Sequence, residues 1–168
     1  MNSGIIYGLV SGLLAMSFIV AIYLNQPLNL ISGLEKLSWL LIFAGMLVGV
    51  WRERSLRNEP FIGFQEALKT AYQIFILAYL IKFATVFVIF NYVEPSLNDS
   101  AREIAVKIFI EHKDTQMTQE IFEQQLEAYK KGYFGPRIFD IGVMLELIAG
   151  FVLAAFTAFL IKRERPEF

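Results

Sequence analysis

The chain has 168 residues, of which 56% are apolar and 18% are charged, and its mean hydropathy is +0.51. This composition excludes an intrinsically disordered chain. The net charge of −1 excludes the strongly basic surface of a nucleic-acid-binding protein. With no cysteine and one histidine, disulfides, Cys-based metal sites and most histidine chemistry are excluded as well. The sequence therefore predicts a small membrane protein with no cofactor, no metal and no nucleic-acid partner.

Four apolar segments are long enough to cross a bilayer, which requires about 20 apolar residues. The predicted spans are 4–24, 34–51, 71–93 and 138–161, all within a single membrane domain, 1–168. The first is predicted to be a membrane helix rather than a secretory signal, because no Lys or Arg precedes it and its apolar run is too long. The second spans the bilayer if Glu35 and Lys36 extend outward to the headgroups.

The short segments between the spans predict structure at the membrane interface. The loop from Asn25 to Leu34 carries several apolar residues and is expected to lie in the outer interface. Asn58, Glu59 and Pro60 form a helix-start pattern. This pattern predicts a helix that begins along the inner interface and continues into the third span. It is interpreted as a simple connector, and the alternative is a docking surface for a cytoplasmic partner.

The segment from Glu94 to Arg137 is the largest polar part of the chain, and Pro95 is predicted to end the third helix. Apolar residues recur there at helical spacing in two stretches: Ala101, Ile104, Ala105 and Ile108, then Phe122, Leu126, Tyr129 and Tyr133. They predict an extracytoplasmic two-helix insertion between the third and fourth spans, an outer helical hairpin over 97–133. Because helices this short are marginal alone, they are expected to pack on each other, on the bundle or on a partner subunit.

Basic residues predict the orientation of the chain, because Lys and Arg concentrate in cytoplasmic loops. They cluster after the second span and in the C-terminal tail: Arg52, Arg54 and Arg57, then Lys162, Arg163 and Arg165. In a four-span protein these two regions share a side. Both termini are therefore predicted to be cytoplasmic, and the hairpin is predicted to lie outside.

Glycines recur along three of the predicted spans. They are Gly4, Gly8 and Gly12 in the first span, Gly45 and Gly49 in the second, and Gly142 and Gly150 in the fourth. Stripes of small residues let membrane helices approach closely. They are interpreted as packing positions within one chain, and the alternative is a homodimer face.

Lys82 and Glu146 are charges inside the predicted spans, where each costs at least about 2.5–3.5 kcal/mol near the bilayer centre. At 1.5 Å per residue, Lys82 lies about 16 Å and Glu146 about 12 Å below the outer surface. They are predicted to form an ion pair that fixes helix register. The alternative is a coupling site or a polar pathway. Asp140 is expected to pair with Arg137 or to cap the fourth helix.

The chain resembles domain-of-unknown-function family 4199. The resemblance rests on the glycine-rich first span, on residues 64–69 (Phe-Gln-Glu-Ala-Leu-Lys) leading into the third span, on the outer hairpin, and on a fourth span that ends in Lys162 and Arg163. It covers nearly the whole chain. The family comprises small four-helix membrane proteins found mainly in Bacteroidetes, so the resemblance implies a bacterial inner-membrane location. It implies no established activity and no catalytic residues.

These observations predict a non-enzymatic structural or accessory subunit of the inner membrane, which assembles with itself or with another membrane protein in the lipid bilayer. The alternative is a small transporter or channel that uses Lys82 and Glu146. An enzyme is disfavoured, because the sequence contains no nucleophile–base set and no phosphate-binding glycine loop.

Overall fold

The computed structural model describes residues 3–56, 61–112, 118–137 and 140–163. Within these residues the chain forms six α-helices: α1 (Ser3–Asn25), α2 (Ser38–Ser55), α3 (Phe64–Val88), α4 (Ser96–Glu111), α5 (Gln119–Lys131) and α6 (Ile141–Ile161). Two 3-10 turns, Pro27–Leu30 and Leu34–Leu37, connect α1 to α2, and a π-helical turn, Ile89–Val93, extends α3. Pro95 follows this turn at the N-cap of α4.

Four helical segments in the described part of the chain are long and apolar enough to cross a membrane. They are Ser3–Asn25, Leu34–Ser55, Phe64–Val93 and Ile141–Ile161. Their outward surface is apolar, since Leu13 of α1 and Ile148 and Phe159 of α6 are 54%, 61% and 63% exposed. The prediction of an all-α chain with four membrane-length helices is confirmed.

Helix α3 is the centre of the bundle, because it contacts α1, α2 and α6. Its buried face alternates small and aromatic side chains, among them Ala71, Phe75 and Ala78. Ile42 and Met46 of α2 pack into the same core and are fully buried. Helices α1 and α6 flank α3, and each also packs against α2.

At the end of the bundle where α3 begins and α6 ends, a short backbone pairing joins Ile62 and Arg163. Each residue donates its N–H to the carbonyl of the other, with both N···O distances at 3.1 Å. Ile62 is 1% exposed, and α3 begins after it, at Phe64. Arg54 adds a hydrogen bond from Nη1 to the carbonyl of Ile161 at 3.1 Å. The predicted helix start at 58–60 lies outside the described residues.

The opposite end of the bundle contains a second apolar cluster. Leu30, from the loop between α1 and α2, packs there with Ile19, Ile89 and Phe90. Leu97, in the first turn of α4, is 2% exposed and belongs to the same cluster. The loop between α1 and α2 and the base of α4 are therefore packed parts of the fold.

Helices α4 and α5, which follow α3 and precede α6 in the chain, pack against each other as a hairpin. The ring of Phe109 on α4 stacks on Phe122 and Tyr129 of α5, with centroid distances of 5.3 Å and 4.8 Å. The side-chain oxygen of Asn98 accepts hydrogen bonds from the backbone N–H groups of Phe134 and Gly135, which ties the end of the hairpin to its start.

The two predicted apolar stripes of the hairpin differ in their surroundings. The α5 stripe contacts α4 through Phe122 and Tyr129. In the α4 stripe, Ala101 is buried, whereas Ile104 and Ile108 are 42% and 51% exposed. The contact on the α4 side is made instead by Phe109.

Candidate functional site

Lys82 of α3 and Glu146 of α6 lie side by side. The Lys82 Nζ atom is 3.4 Å from Oε2 of Glu146 and donates a hydrogen bond to it. The Lys82 side chain is 5% exposed and that of Glu146 is 37% exposed. Because the carboxylate is partly open, the pair occupies the edge of the bundle rather than a sealed interior.

Two aromatic rings complete the surroundings of the Lys82 ammonium. Its Nζ atom lies 5.3 Å from the centroid of the Trp39 ring on α2 and 5.8 Å from that of Tyr79, one turn earlier on α3. A cation above an aromatic face is attracted by the negative charge of the ring face. Three helices thus contribute contacts that stabilise one ammonium group.

Glu35 is a third charged residue of this site. From the sequence, Glu35 and Lys36 were expected to extend toward the headgroups if the second segment spans the bilayer. In the 3-10 turn Leu34–Leu37 the Glu35 carboxylate interacts electrostatically with Lys82 and Glu146, and its Oε2 atom is buried. The adjoining Lys36 is exposed. A detectable sequence signal was the i, i+4 spacing of Glu35 and Trp39, which puts both on one helical face.

The three charged side chains line a cavity of about 180 Å³. Its charged lining residues are Glu35, Lys82, Arg137, Asp140 and Glu146. Tyr79 also lines it; this residue is 3% exposed, and its hydroxyl interacts with the Glu146 carboxylate. The buried Oε2 atom of Glu35 accepts no hydrogen bond from the described residues.

Helix α6 begins at Ile141, so Glu146 is five residues from the helix start, about 7 Å at 1.5 Å per residue. The site therefore lies near the end of the bundle at which α6 begins.

Asp140 and Arg137 form the rim of the cavity without the predicted pairing. Arg137 donates from Nη2 to the carbonyl of Tyr133 at 3.2 Å, and its guanidinium lies 4.9 Å from the centroid of that residue's ring. Asp140 occupies the N-cap of α6 but makes no side-chain capping hydrogen bond.

Most of the predicted packing glycines lie where helices of the same chain meet. Gly8 and Gly12 of α1 face α3, Gly45 of α2 faces α1, and Gly49 of α2 faces both α3 and α1. The remaining buried members are Gly4 and Gly150. Gly142 is exposed, and an added Cβ there would approach Asp140 alone among the described residues, at 3.6 Å or more.

Residues 2–163 match the model of the family described as "protein of unknown function (DUF4199)". The chain belongs to this family, and the resemblance inferred from the sequence is confirmed. No match was found among curated proteins, and none was found among solved structures.

Proposed function

We propose that this member of the DUF4199 family is a multi-pass protein of the bacterial inner membrane that acts as a non-enzymatic structural or accessory subunit. In this proposal the four apolar helices lie in the lipid bilayer, and the α4–α5 hairpin provides the contact with another membrane protein or with a second copy of the chain.

The proposed orientation places both termini in the cytoplasm and the hairpin outside. Its support is the distribution of charge over the two ends of the bundle. Arg52 and Arg54 end α2, while Lys162 and Arg163 follow α6, and a hydrogen bond from Arg54 to Ile161 joins the two ends. Clustered basic residues favour the cytoplasmic side of a membrane.

The observation that carries the accessory role is the uncovered apolar surface of the hairpin. Ile104, Ile108 and Ile110 of α4 and Ile121 of α5 are 42%, 51%, 50% and 46% exposed. Helix α5 has no buried residue and packs on α4. Exposed apolar residues in a polar, extramembrane segment are typical of interaction surfaces.

The glycine stripes favour assembly through the hairpin over assembly through the membrane helices. Gly8, Gly12, Gly45, Gly49 and Gly150 meet neighbouring helices of the same chain. A second copy could not use those faces without displacing α1 or α3.

Native mass spectrometry of the tagged, full-length protein in mild detergent tests the accessory role. The expected result is a defined complex heavier than the single chain of 19.2 kDa. Ile104→Gln combined with Ile108→Gln should weaken that complex, since glutamine keeps helix propensity and removes apolar contact. The matched control on the same helix is Glu103→Gln combined with Lys107→Gln. A single-chain mass at every concentration, without a co-purifying protein, would contradict the proposal.

A second function, a small transporter or channel, is favoured by the polar cavity around Lys82 and Glu146. The core below the cavity is filled by Phe75, Ile74 and Met46, each fully buried, so transport through one chain would require a large rearrangement. Ion flux into proteoliposomes that is lost in Lys82→Met would favour transport over the accessory role.

A further inference from the structure

An apolar groove runs along the surface between α1 and α3, toward the end of the bundle where both helices end. Met16 and Val20 of α1 form one wall, and Ile81 and Val88 of α3 form the other. The groove has a volume of about 520 Å³. Met16 and Val88 are 40% and 45% exposed, so no other helix of the described residues covers them. Because an empty groove would forfeit dispersion contacts, lipid or another membrane protein fills it in a bilayer.

The groove has the length of one lipid leaflet. Its α1 wall extends from Met16 to Leu24, and its α3 wall extends from Ile81 to Val93. At 1.5 Å per residue these walls are about 12 Å and about 18 Å long. The hydrocarbon of one leaflet is about 15 Å thick, half of a core of about 30 Å. A single acyl chain that starts at the end of α3 therefore fits along the whole groove.

Glu94 lies at the mouth of the groove, directly after Val93. Its Oε2 atom accepts a hydrogen bond at 3.2 Å from the hydroxyl of Tyr23, a residue that lines the groove. Its Oε1 atom accepts another at 2.9 Å from the hydroxyl of Ser96. Neither donor carries a charge, and no Lys or Arg in the described part of the chain forms an ion pair with this carboxylate. The mouth is therefore an anionic group, held in place by two hydroxyls, that is complementary to a cationic headgroup.

We propose that this groove binds one phospholipid with a primary ammonium headgroup, of the phosphatidylethanolamine type. One acyl chain lies between α1 and α3, and the ammonium donates a charge-assisted hydrogen bond to the Glu94 carboxylate. The inference rests on the proposed location of the four helices in a membrane, and it is independent of the accessory role assigned to the hairpin.

The carboxylate, rather than the groove, selects the lipid. The acyl chains of all phospholipids are equally apolar, so hydrophobicity gives no preference among them inside a bilayer. A phosphatidylglycerol headgroup carries a net negative charge and is repelled by Glu94. A phosphatidylcholine headgroup has a quaternary ammonium without an N–H group, so it cannot donate a hydrogen bond to the carboxylate.

A second copy of the chain fits the groove less well than this lipid. Copies inserted in one membrane share an orientation, so a two-fold axis between them runs along the membrane normal. Pairing through the groove would bring the two Glu94 carboxylates to the same depth, where like charges repel each other. The ammonium headgroup meets the same carboxylate with the opposite charge.

Native mass spectrometry of the full-length protein in mild detergent tests the proposal. The protein is titrated with phosphatidylethanolamine, phosphatidylcholine and phosphatidylglycerol of identical acyl chains. The expected result is one bound phosphatidylethanolamine, with an apparent dissociation constant about threefold or more below those of the other two lipids. Equal affinity for all three lipids would contradict the proposal. Lipid adducts and further copies of the chain differ in mass, so this result is read separately from the oligomeric state that tests the accessory role.

A charge variant assigns the lipid preference to Glu94. Glu94→Gln should abolish the preference for phosphatidylethanolamine over phosphatidylcholine, because the amide keeps the shape of the side chain without its charge. The matched control, Glu103→Gln on the exposed surface of α4, should keep the preference. A preference that persists in Glu94→Gln would place the lipid elsewhere.

A filled groove should lose the bound lipid. Ala84 lines the groove and is exposed, so the ring introduced by Ala84→Phe would occupy the space of the acyl chain. Ala149→Phe adds the same ring at an exposed position of α6, outside the groove, and should leave lipid binding unchanged. Equal lipid binding by the two variants would show that the groove is not the site.

A measurement on the wild-type chain keeps the test decisive if these variants do not fold. Phosphatidylethanolamine with a photoreactive diazirine in one acyl chain is irradiated with the protein in phosphatidylcholine nanodiscs. Peptide mapping should place the label on residues 16–24 and 81–93, and added unlabelled phosphatidylethanolamine should displace it whereas added phosphatidylcholine should not. Equal labelling of the exposed face of α6, which includes Ile148 and Phe159, would show unselective lipid contact and overturn the proposal.

Discussion

The ring of Phe75 on α3 lies against the backbone of Gly150 on α6, in the space where any other residue would place its Cβ atom. Phe75 is fully buried and is held between Tyr72 and Tyr79, with ring centroid distances of 6.0 Å and 5.5 Å. Its ring therefore has little freedom to move. This contact sets how closely α6 approaches the centre of the bundle.

Gly150→Ala should destabilise the protein by about 1–3 kcal/mol, the usual cost of inserting a methyl group into a packed core. The matched control is Gly142→Ala on the same helix, where the nearest atom that an added Cβ would meet is 3.6 Å away. This control should be neutral, or stabilising by up to about 1 kcal/mol through helix propensity. Thermal unfolding in detergent measures both. Equal effects of the two substitutions would show that Phe75 does not pack against Gly150.

The sequence was sufficient to predict the four apolar helices, because an uninterrupted apolar run has few alternatives in a chain of this composition. The sequence was not sufficient to predict the residues at which these helices begin and end. Ile62 lies outside α3 because its backbone pairs with Arg163, a contact between residues 101 positions apart. Pairing of this kind depends on the assembled bundle and has no local signal.

The sequence predicted only part of the polar site, because some of its contacts form only in the assembled bundle. Opposite signs at similar depth were enough to suggest Lys82 and Glu146 as partners. Glu35 was missed because it lies in a 3-10 turn ahead of α2, where extension toward the headgroups was the simpler expectation. The rim residues Arg137 and Asp140 reach the cavity through the segment after α5, whose path follows from the hairpin geometry.

The orientation can be tested by cysteine labelling, since the natural chain contains no cysteine. With the hairpin outside, Ser100→Cys should react with a membrane-impermeant maleimide in cells whose inner membrane is intact. With the tail in the cytoplasm, Arg165→Cys should react only after the membrane is permeabilised. The reverse labelling pattern would overturn the proposed topology.

The hairpin should depend on the bundle for its structure. A peptide of residues 97–133 loses the apolar cluster in which Leu97 packs against Ile19 and Phe90. It keeps the stacking of Phe109 on Phe122 and Tyr129, but two helices of 16 and 13 residues are marginal alone. Circular dichroism should show a largely unstructured peptide in water. A cooperative thermal transition of the monomeric peptide would show that the hairpin folds independently.

A double-mutant cycle should measure a strong coupling between Lys82 and Glu146. Removing one partner of a fully buried pair costs about 3–5 kcal/mol, and the cost here should be lower because the Glu146 side chain is 37% exposed. Lys82→Met and Glu146→Leu should each lower stability in detergent, and the double variant should recover much of the loss. The matched control is the exposed pair Lys107 and Glu111, 4.0 Å apart, whose coupling should be about 0.3–0.5 kcal/mol.

Recovery in the double variant should be incomplete, because Glu35 then loses its interaction with Lys82 and keeps only that with the exposed Lys36. Adding Glu35→Gln should restore part of the remaining loss, since an amide in the same place carries no charge. Equilibrium unfolding of the single, double and triple variants gives these values directly. Losses that simply add would mean that Lys82 and Glu146 are not energetic partners. A stable double variant that fails to complement a deletion strain would instead assign the pair a role in function, and the transport hypothesis would then take precedence over the accessory one.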